Sequence, residues 1–427
     1  MKVVGLITEY NPFHNGHLYH IRKAREVTGA DTVIVVMSGN YVQRGIPAMM
    51  PKRLRAFAAL EAGVAAVFEL PVFFACGSAE YFAEGAIALL DALGCVDAIC
   101  FGSECGDVKS LGKIAKILAD EPEEYSVLLR NYLKSGLSYP RARQAALKSY
   151  FKDGTLDMIL EQPNNILGIE YMKALYKKNS TIRCCTIRRV ISGYHDEKLL
   201  PSLSSAAAIR KALAYGEDFP RLTQYSLTDG PAPPGVLLKL KDQVPHSCLQ
   251  ILKEYFHTRY PVYANDFSLL LKYRLLSETK ETLTQYTDIS EDLANRIINR
   301  AGEFLSFSQF CSLLKTRELT YARISRCLMH IILGITASDL KAYQKAGYCQ
   351  YAHILGFRKD STNILSVLKQ SAKVPLITRP ARAEALSDTG LSMLQHDIFA
   401  SNLYESIITD KFKTPFINEY QHQILRI

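Results

Sequence analysis

VVGLITEYNPFHNGHLYHIRKA (Val3–Ala24) is the stretch on which the reading of this chain turns. Its first five residues are a continuous apolar run rich in β-branched side chains, which is how a strand covered on both faces reads. Helical periodicity takes over from Gly16. Between the two, an acid, two asparagines, a proline, two histidines and a glycine fall within Glu9–His17. Such residues make poor core, so the loop they form needs a use. The same strand-then-helix alternation continues downstream. TVIVVM (32–37), AAVFEL (65–70) and DAICFG (97–102) read as buried strands, and Lys52–Ala62 and Ala79–Leu93 as helices. Repeated in this way, the pattern predicts a parallel sheet with right-handed crossovers. Ligands of such sheets lie beyond the carboxyl ends of the strands. The polar loop stands there, as do MSGNYVQRG (37–45), ELPVFFACGSAEYF (69–82) and FGSECGD (101–107). Four loops of unusual chemistry thus converge on one edge.

Length and composition set the frame around that edge. At 427 residues the chain exceeds one ordinary core. PNNILGIEYMKAL (163–175) reads as a helix, STIRCCTIRRV (180–190) as a strand, and the segment ending in Leu213 as a helix opened by serines. TDGPAPPG (228–235) has the composition of a linker. Beyond it, 236–256, 264–283, 290–302, 306–316, 320–333 and 336–346 read helical, followed by a mixed tail. The expected architecture is α/β, a Rossmann-like doubly wound parallel sheet over 1–227, joined by 228–235 to a mainly α-helical region over 236–427. Apolar runs are too short for a membrane span, and Met1 leads into a strand without a signal peptide. Ten cysteines without a C-x-x-C pair suggest buried thiols in a reducing, cytoplasmic setting, with no metal site. The net charge of +9 admits a polyanionic partner but identifies none.

His14–His17 (HNGH) matches the H-x-G-H signature of the nucleotidyltransferase superfamily, and it sits where that signature belongs, after strand one and opening helix one. A helix N-terminus offers unpaired N–H groups and a positive dipole end to a triphosphate. Imidazoles add donors for charge developing on the α-phosphate. Gly16 allows close approach to backbone, and Asn11 and Asn15 supply neutral donors. The plain alternative is a pair of solvated histidines at a helix start. A second superfamily signature, I-S-S-T-x-x-R, is met in part by Ser204–Arg210 (SSAAAIR): Ser205 and Arg210 fit, while Ala207 replaces the threonine.

GLITEYNPFHNGHLYH, MSGNYVQRG, FELP, SAEYFAEGA, FGSE, PNNILGIEY and GYHD together resemble the tRNA(Met) cytidine acetate ligase family, and ARISRCLMHIILG (322–334) and YAHILGFRKDS (351–361) extend the likeness more weakly. The resemblance implies an enzyme that joins acetate to ATP as acetyl-adenylate. It then moves the acetyl group to the wobble cytidine of elongator tRNA(Met), giving N4-acetylcytidine without coenzyme A. The likeness also implies an ATP loop made of Ile7, Thr8, Glu9, Tyr10, Asn11, Pro12 and Phe13 before the motif, His14, Asn15, Gly16 and His17 within it, and Leu18, Tyr19 and His20 after it. His14 and His17 would be catalytic. Gly102, Asn164 or Asn165, Arg188, Arg189 and Arg210 would be further nucleotide contacts, and Mg2+ would accompany ATP.

Several residues stay open between roles. Asn164 and Asn165 could instead cap a helix, and Arg188 and Arg189 could be a solvated strand end. Gln43 and Arg44 could meet phosphates or form part of a lid. Ser78 and Glu80 could line the site or cap the next helix. For tRNA, Arg317, Arg323 and Arg326 near one helix start form a basic face, with Ile324, Leu328, Ile331 and Ile332 turned to the core. Lys52, Arg53 and Arg55 form a second basic patch, and Tyr41 and Phe73 are platforms for an extruded base. Two rival functions remain: an adenylyltransferase for a small phosphorylated metabolite, and a non-catalytic nucleotide-dependent RNA-binding protein.

Overall fold

The structure is a computed structural model that describes residues 1–152, 154, 156–189, 205–215, 237, 239–381 and 383–427. The expected linker 228–235, the GYHD segment 193–196 and Ser204 lie outside the described residues. Strands form where the apolar runs are: β1 (Val3–Thr8), β2 (Thr32–Ser38), β5 (Ala66–Leu70), β6 (Ala98–Ser103) and β7 (Arg183–Arg188), with a small hairpin of β3 (Tyr41–Val42) and β4 (Ile46–Pro47) after β2. The intervening helices are α1 (Asn15–Thr28), α2 (Lys52–Glu61), α3 (Val72–Ala75), α4 (Ala79–Ala92), α5 (Val108–Asp120), α6 (Glu123–Lys134), α7 (Tyr139–Phe151), α8 (Leu156–Glu161), α9 (Pro163–Lys178) and α10 (Ala206–Tyr215). All seven residues of β2 and all five of β5 are buried, which explains their unbroken apolar sequence.

The sheet order runs β5-β2-β1-β6-β7, all parallel. The chain builds outward from β1 in one direction, then returns to build in the other. The order therefore reverses between β1 and β6, and the carboxyl ends of those strands part to leave a crevice. α1 opens at that crevice.

The C-terminal region is mainly helical, but it also completes the sheet. β8 (Ala352–Phe357) pairs antiparallel with β5, and β9 (Leu376–Ile377) and β10 (Leu425–Arg426) flank β8, giving a sheet of eight strands among the described residues. The buried register brings His353 beside Glu69. Around that pair a cluster of charges is sealed from water. Lys52 Nζ lies 2.8 Å from both Glu69 carboxylate oxygens, 2.8 Å from Ser401 Oγ and 3.0 Å from Glu419 Oε1, while His353 Nδ1 is 2.8 Å from Glu69 Oε2. Glu69, His353 and Glu419 lie close enough to hold a metal. The Lys52 ammonium already stands between the carboxylates as their cation.

This corrects one expectation from the sequence. Lys52 and Arg55 are 2% and 1% exposed, so they form no basic surface with Arg53, which itself pairs with Glu419. Arg55 instead cross-braces the loops, donating to the carbonyls of Glu9, Ser38, Gly39 and Met50. Tyr41 and Phe73 are also buried, each 1% exposed, and pack edge-on against Tyr404 and Tyr343 respectively. Neither can offer its face to a base. Ser78 caps α4 through the Tyr81 N–H, and Glu80 pairs with Lys173 at 2.5 Å.

The helix Tyr321–Leu333 buries Ile324, Leu328, Ile331 and Ile332 and leaves Arg323 and Arg326 half-buried, with Arg317 exposed just before it. It reaches the crevice through the hairpin tip. Ser325 Oγ donates to the Gly45 carbonyl at 2.8 Å, and Gly45 has φ +71° with its missing Cβ only 2.3 Å from the Arg326 backbone nitrogen. Only glycine fits there.

Candidate active site

The loop after β1 owes its shape to bonds from three directions. Asn11 Oδ1 accepts the Met49 N–H at 2.8 Å, the Asn11 carbonyl accepts Arg210 Nη1 at 2.6 Å, and the Glu9 carbonyl accepts Arg55. Tyr10 is held at φ +47°, a conformation a bulky residue seldom adopts, with its ring 4.8 Å from that of His17.

His14 is the N-cap of α1. Its Nδ1 accepts the Gly16 N–H at 3.0 Å, and His17 Nδ1 accepts the His14 N–H at 3.2 Å, a reciprocal capping box built from imidazoles. The rings stack with centroids 3.7 Å apart. A Cβ on residue 16 would lie 2.8 Å from the His14 ring, a second reason for glycine there. Burial lowers the His14 pKa to about 3, helped by Arg189 and Arg210. Burial, then His14, holds His17 well below its ordinary value. Both rings are therefore neutral near pH 7. With each Nδ1 occupied as an acceptor, each ring carries its proton on Nε2. Capping thus fixes the tautomer and leaves two neutral N–H donors.

These histidines line a cleft of about 300 Å3. Of the loop residues expected at a nucleotide, Ile7, Thr8, Glu9, Tyr10, Asn11, His14, Gly16, His17, Tyr19 and His20 line it. So do Gly102 at the end of β6, Asn164 on α9, Arg188 and Arg189 at the end of β7, and Arg210 on α10. Ser205 and Ala207 line it too. Five expected residues do not. Pro12 and Phe13 are buried below the loop, Asn15 turns away to donate to the Asp242 carbonyl at 2.8 Å, and Leu18 packs against the core. Asn165 sits behind the wall: its Oδ1 accepts the N–H groups of Glu104 and Cys105, and its Nδ2 donates to the Ile159 carbonyl. Asn164 faces the cleft and steadies Arg189, accepting from its Nη1 at 3.2 Å. Neither asparagine caps α9; Glu104 does, accepting the N–H groups of Asn164 and Asn165.

Glu104 stands in the FGSECGD loop already placed at this edge, but its role as the cap of α9 was not legible there; nor was the apolar wall of Val42, Ile46, Phe82, Phe101, Leu167, Tyr171 and Ile187, because apolar wall and apolar core look alike in a sequence. Gln43 and Arg44, left open between two roles, line the cleft from the hairpin tip.

Because His14, His17 and His20 are kept neutral in the folded chain, the unfolded chain binds more protons below pH 6.5. Folding stability should therefore fall as the pH drops from 6.5 towards the depressed values, about 3 for His14 and about 4 for His20. His14 alone should cost about 1 kcal/mol between pH 6.5 and 5.5, and His17 and His20, depressed in the same direction, should add to that loss. Urea unfolding at the two pH values reads this directly. A midpoint that did not move would mean the imidazoles are solvated.

An order-reversing parallel sheet with H-x-G-H opening its first crossover defines a nucleotidyltransferase, and the family model "HIGH Nucleotidyl Transferase" matches residues 1–418. The tRNA(Met) cytidine acetate ligase of Acetivibrio thermocellus is 41% identical over 407 residues, covering 95% of this chain and 94% of the relative. That of Clostridium perfringens is 38% identical, with 95% of each chain covered. Thermotoga maritima TmcAL in its apo form superposes with a TM-score of 0.90 at 32% identity over 100% of both chains. The same protein bound with alpha-thio ATP gives 0.88 at 32% identity, over 100% of this chain and 99% of that one. Within the nucleotidyltransferases, the chain belongs to the tRNA(Met) cytidine acetate ligase family.

Proposed function

We propose that this chain activates acetate with ATP and delivers the acetyl group to N4 of the wobble cytidine of elongator tRNA(Met). The observation that carries the reading is the pair of capped, neutral imidazoles at the sheet's crevice, facing a cleft that also presents Arg44, Arg188, Arg189 and Arg210. Acetate oxygen attacks the α-phosphorus and pyrophosphate departs. Negative charge grows on the phosphoryl oxygens, and the two Nε2–H groups stabilise it as preorganised donors rather than as cations. Arg188, Arg189 and Arg210 bind the nucleotide's charge, and the bare backbone of Gly102 receives the adenosine. Asn164 orients Arg189. Asn165 acts one layer back, as a positioning residue for the 104–105 turn.

The cleft's donor set does not itself form a magnesium site, since Glu9 is the one carboxylate among the described residues lining it. A magnesium ion, which supplies charge neutralisation to a triphosphate, would arrive on the phosphate oxygens. Coenzyme A has no part in this scheme. In functional terms, residues 1–227 supply the nucleotide chemistry. The region 236–427, with Arg317, Arg323 and Arg326 as its basic face, supplies the grip on tRNA.

The test is incubation with labelled acetate, ATP and total tRNA. Label in N4-acetylcytidine is the expected result. Pyrophosphate release with a phosphorylated mononucleotide and no acetate would replace this reading with that of a metabolic adenylyltransferase. Neither product would leave a nucleotide-dependent RNA-binding protein.

A further inference from the structure

Glu9 is chemically out of place in its surroundings. Every other charged residue lining the cleft, among the described residues, is an arginine, and the histidines there are neutral. A carboxylate in such a cleft repels the very phosphates the arginines attract, so a nucleotide contact is a poor use for it. Its position points elsewhere. Glu9 follows β1 on the side of β2: its Oε1 accepts the Gln43 N–H from the hairpin at 3.0 Å. Of the groups suited to the nucleotide, Gly102, Arg188 and Arg189 stand across β1 at the ends of β6 and β7, while Arg210 reaches the Asn11 carbonyl in the loop between. Near Glu9 the wall is apolar apart from Gln43 and Arg44 at the hairpin tip. Val42 and Ile46 come from the hairpin that Glu9 holds, and the hydroxyl of buried Tyr171 lies within electrostatic reach of the Glu9 carboxylate. A flat, uncharged ring bearing an amino group fits that half: apolar faces for the ring, a carboxylate for the N–H.

We propose that Glu9 is the acceptor-side catalytic residue, binding the exocyclic amino group of the cytosine and taking its proton during acetyl transfer. This rests on the function proposed above. The need is chemical. The N4 lone pair is delocalised into the pyrimidine ring, so the amine is a weak nucleophile. As N4 attacks the acetyl carbonyl carbon, the C–N bond forms and the bond from that carbon to the phosphate oxygen breaks. AMP leaves with the electron pair, and one N4 proton passes to the Glu9 carboxylate. Carboxylates are suited acceptors for a cytosine N4–H, and positioned general bases contribute about 100- to 10,000-fold. The bond from Gln43 uses one of roughly four acceptor positions, leaving capacity for the amine.

Glu9→Gln is the informative variant, because its amide oxygen can still accept the Gln43 N–H while it can no longer take a proton. Two half-reactions are read on the full chain. Acetate-dependent ATP–pyrophosphate exchange reports adenylation, and label transfer from acetate to tRNA reports the second step. Exchange is expected to stay within about threefold of wild type, and transfer to fall by about 100-fold or more. Hydroxylamine, a strong nucleophile that needs no base, should still trap the acetyl group as acetohydroxamate at the wild-type rate. Parallel loss of exchange and transfer would overturn the assignment in favour of a nucleotide or magnesium ligand. Unchanged transfer would overturn it outright. Wild-type protein that adenylates acetate but never acetylates tRNA would instead sink the underlying functional reading, before any variant is compared.

Discussion

Replacing His17 by alanine is expected to slow acetate-dependent ATP–pyrophosphate exchange by about 100- to 1,000-fold, the usual loss when one preorganised donor to a developing oxyanion is removed. His14→Ala should do the same. Each alanine variant also forfeits a cap, because His14 and His17 satisfy each other's end of α1, and that loss is worth about 1 kcal/mol of stability. The two effects can be separated. Asparagine is a strong N-cap and glutamine completes a capping box at the third helical position, so His14→Asn and His17→Gln should fold as the wild type does. Neither presents an imidazole Nε2–H. If these variants retained full exchange activity, the histidines would be structural caps and the charge stabilisation would have to come from the arginines alone.

Lys52→Met should be the most damaging substitution away from the cleft. Burial by itself would raise the Glu69 pKa, but Lys52 and His353 outweigh it and hold the carboxyl at about 2. Without the ammonium, Glu69 and Glu419 face each other in a dry interior, and breaking a buried pair from one side costs about 3–5 kcal/mol. The urea midpoint should fall accordingly. The remaining acids would be driven to take up protons, so Lys52→Met should recover part of the deficit on mild acidification, the opposite of the wild type's response near pH 6. A variant as stable as wild type would show that water enters the cluster.

Much of the catalytic half was legible because its signals are local. β1, β2, β5 and β6 are unbroken apolar runs, and the H-x-G-H spacing places two imidazoles on the first turn of a helix whatever lies around it. What the chain hides is partnership at long range. Nothing in AHILGF (352–357) says that it pairs with β5, hundreds of residues earlier, or that it does so antiparallel. The cluster K-R-L-R (52–55) reads as a charged surface until Glu69, Ser401 and Glu419 are brought to Lys52 by elements the local pattern does not connect. Tyr41 and Phe73 fail as platforms for the same reason: aromatic rings near an active edge are as useful for sealing it as for opening it. Asn164 and Asn165 divide the work that one name suggested, the first facing the ligand and the second holding the loop behind.

Because β8 comes late in the chain, the sheet beside β5 is finished only when most of the protein has left the ribosome. Until then the nascent chain carries an open strand edge, and Lys52 and Glu69 lack Ser401, His353 and Glu419. A truncated product ending near residue 227 would therefore carry the H-x-G-H loop on an unfinished scaffold.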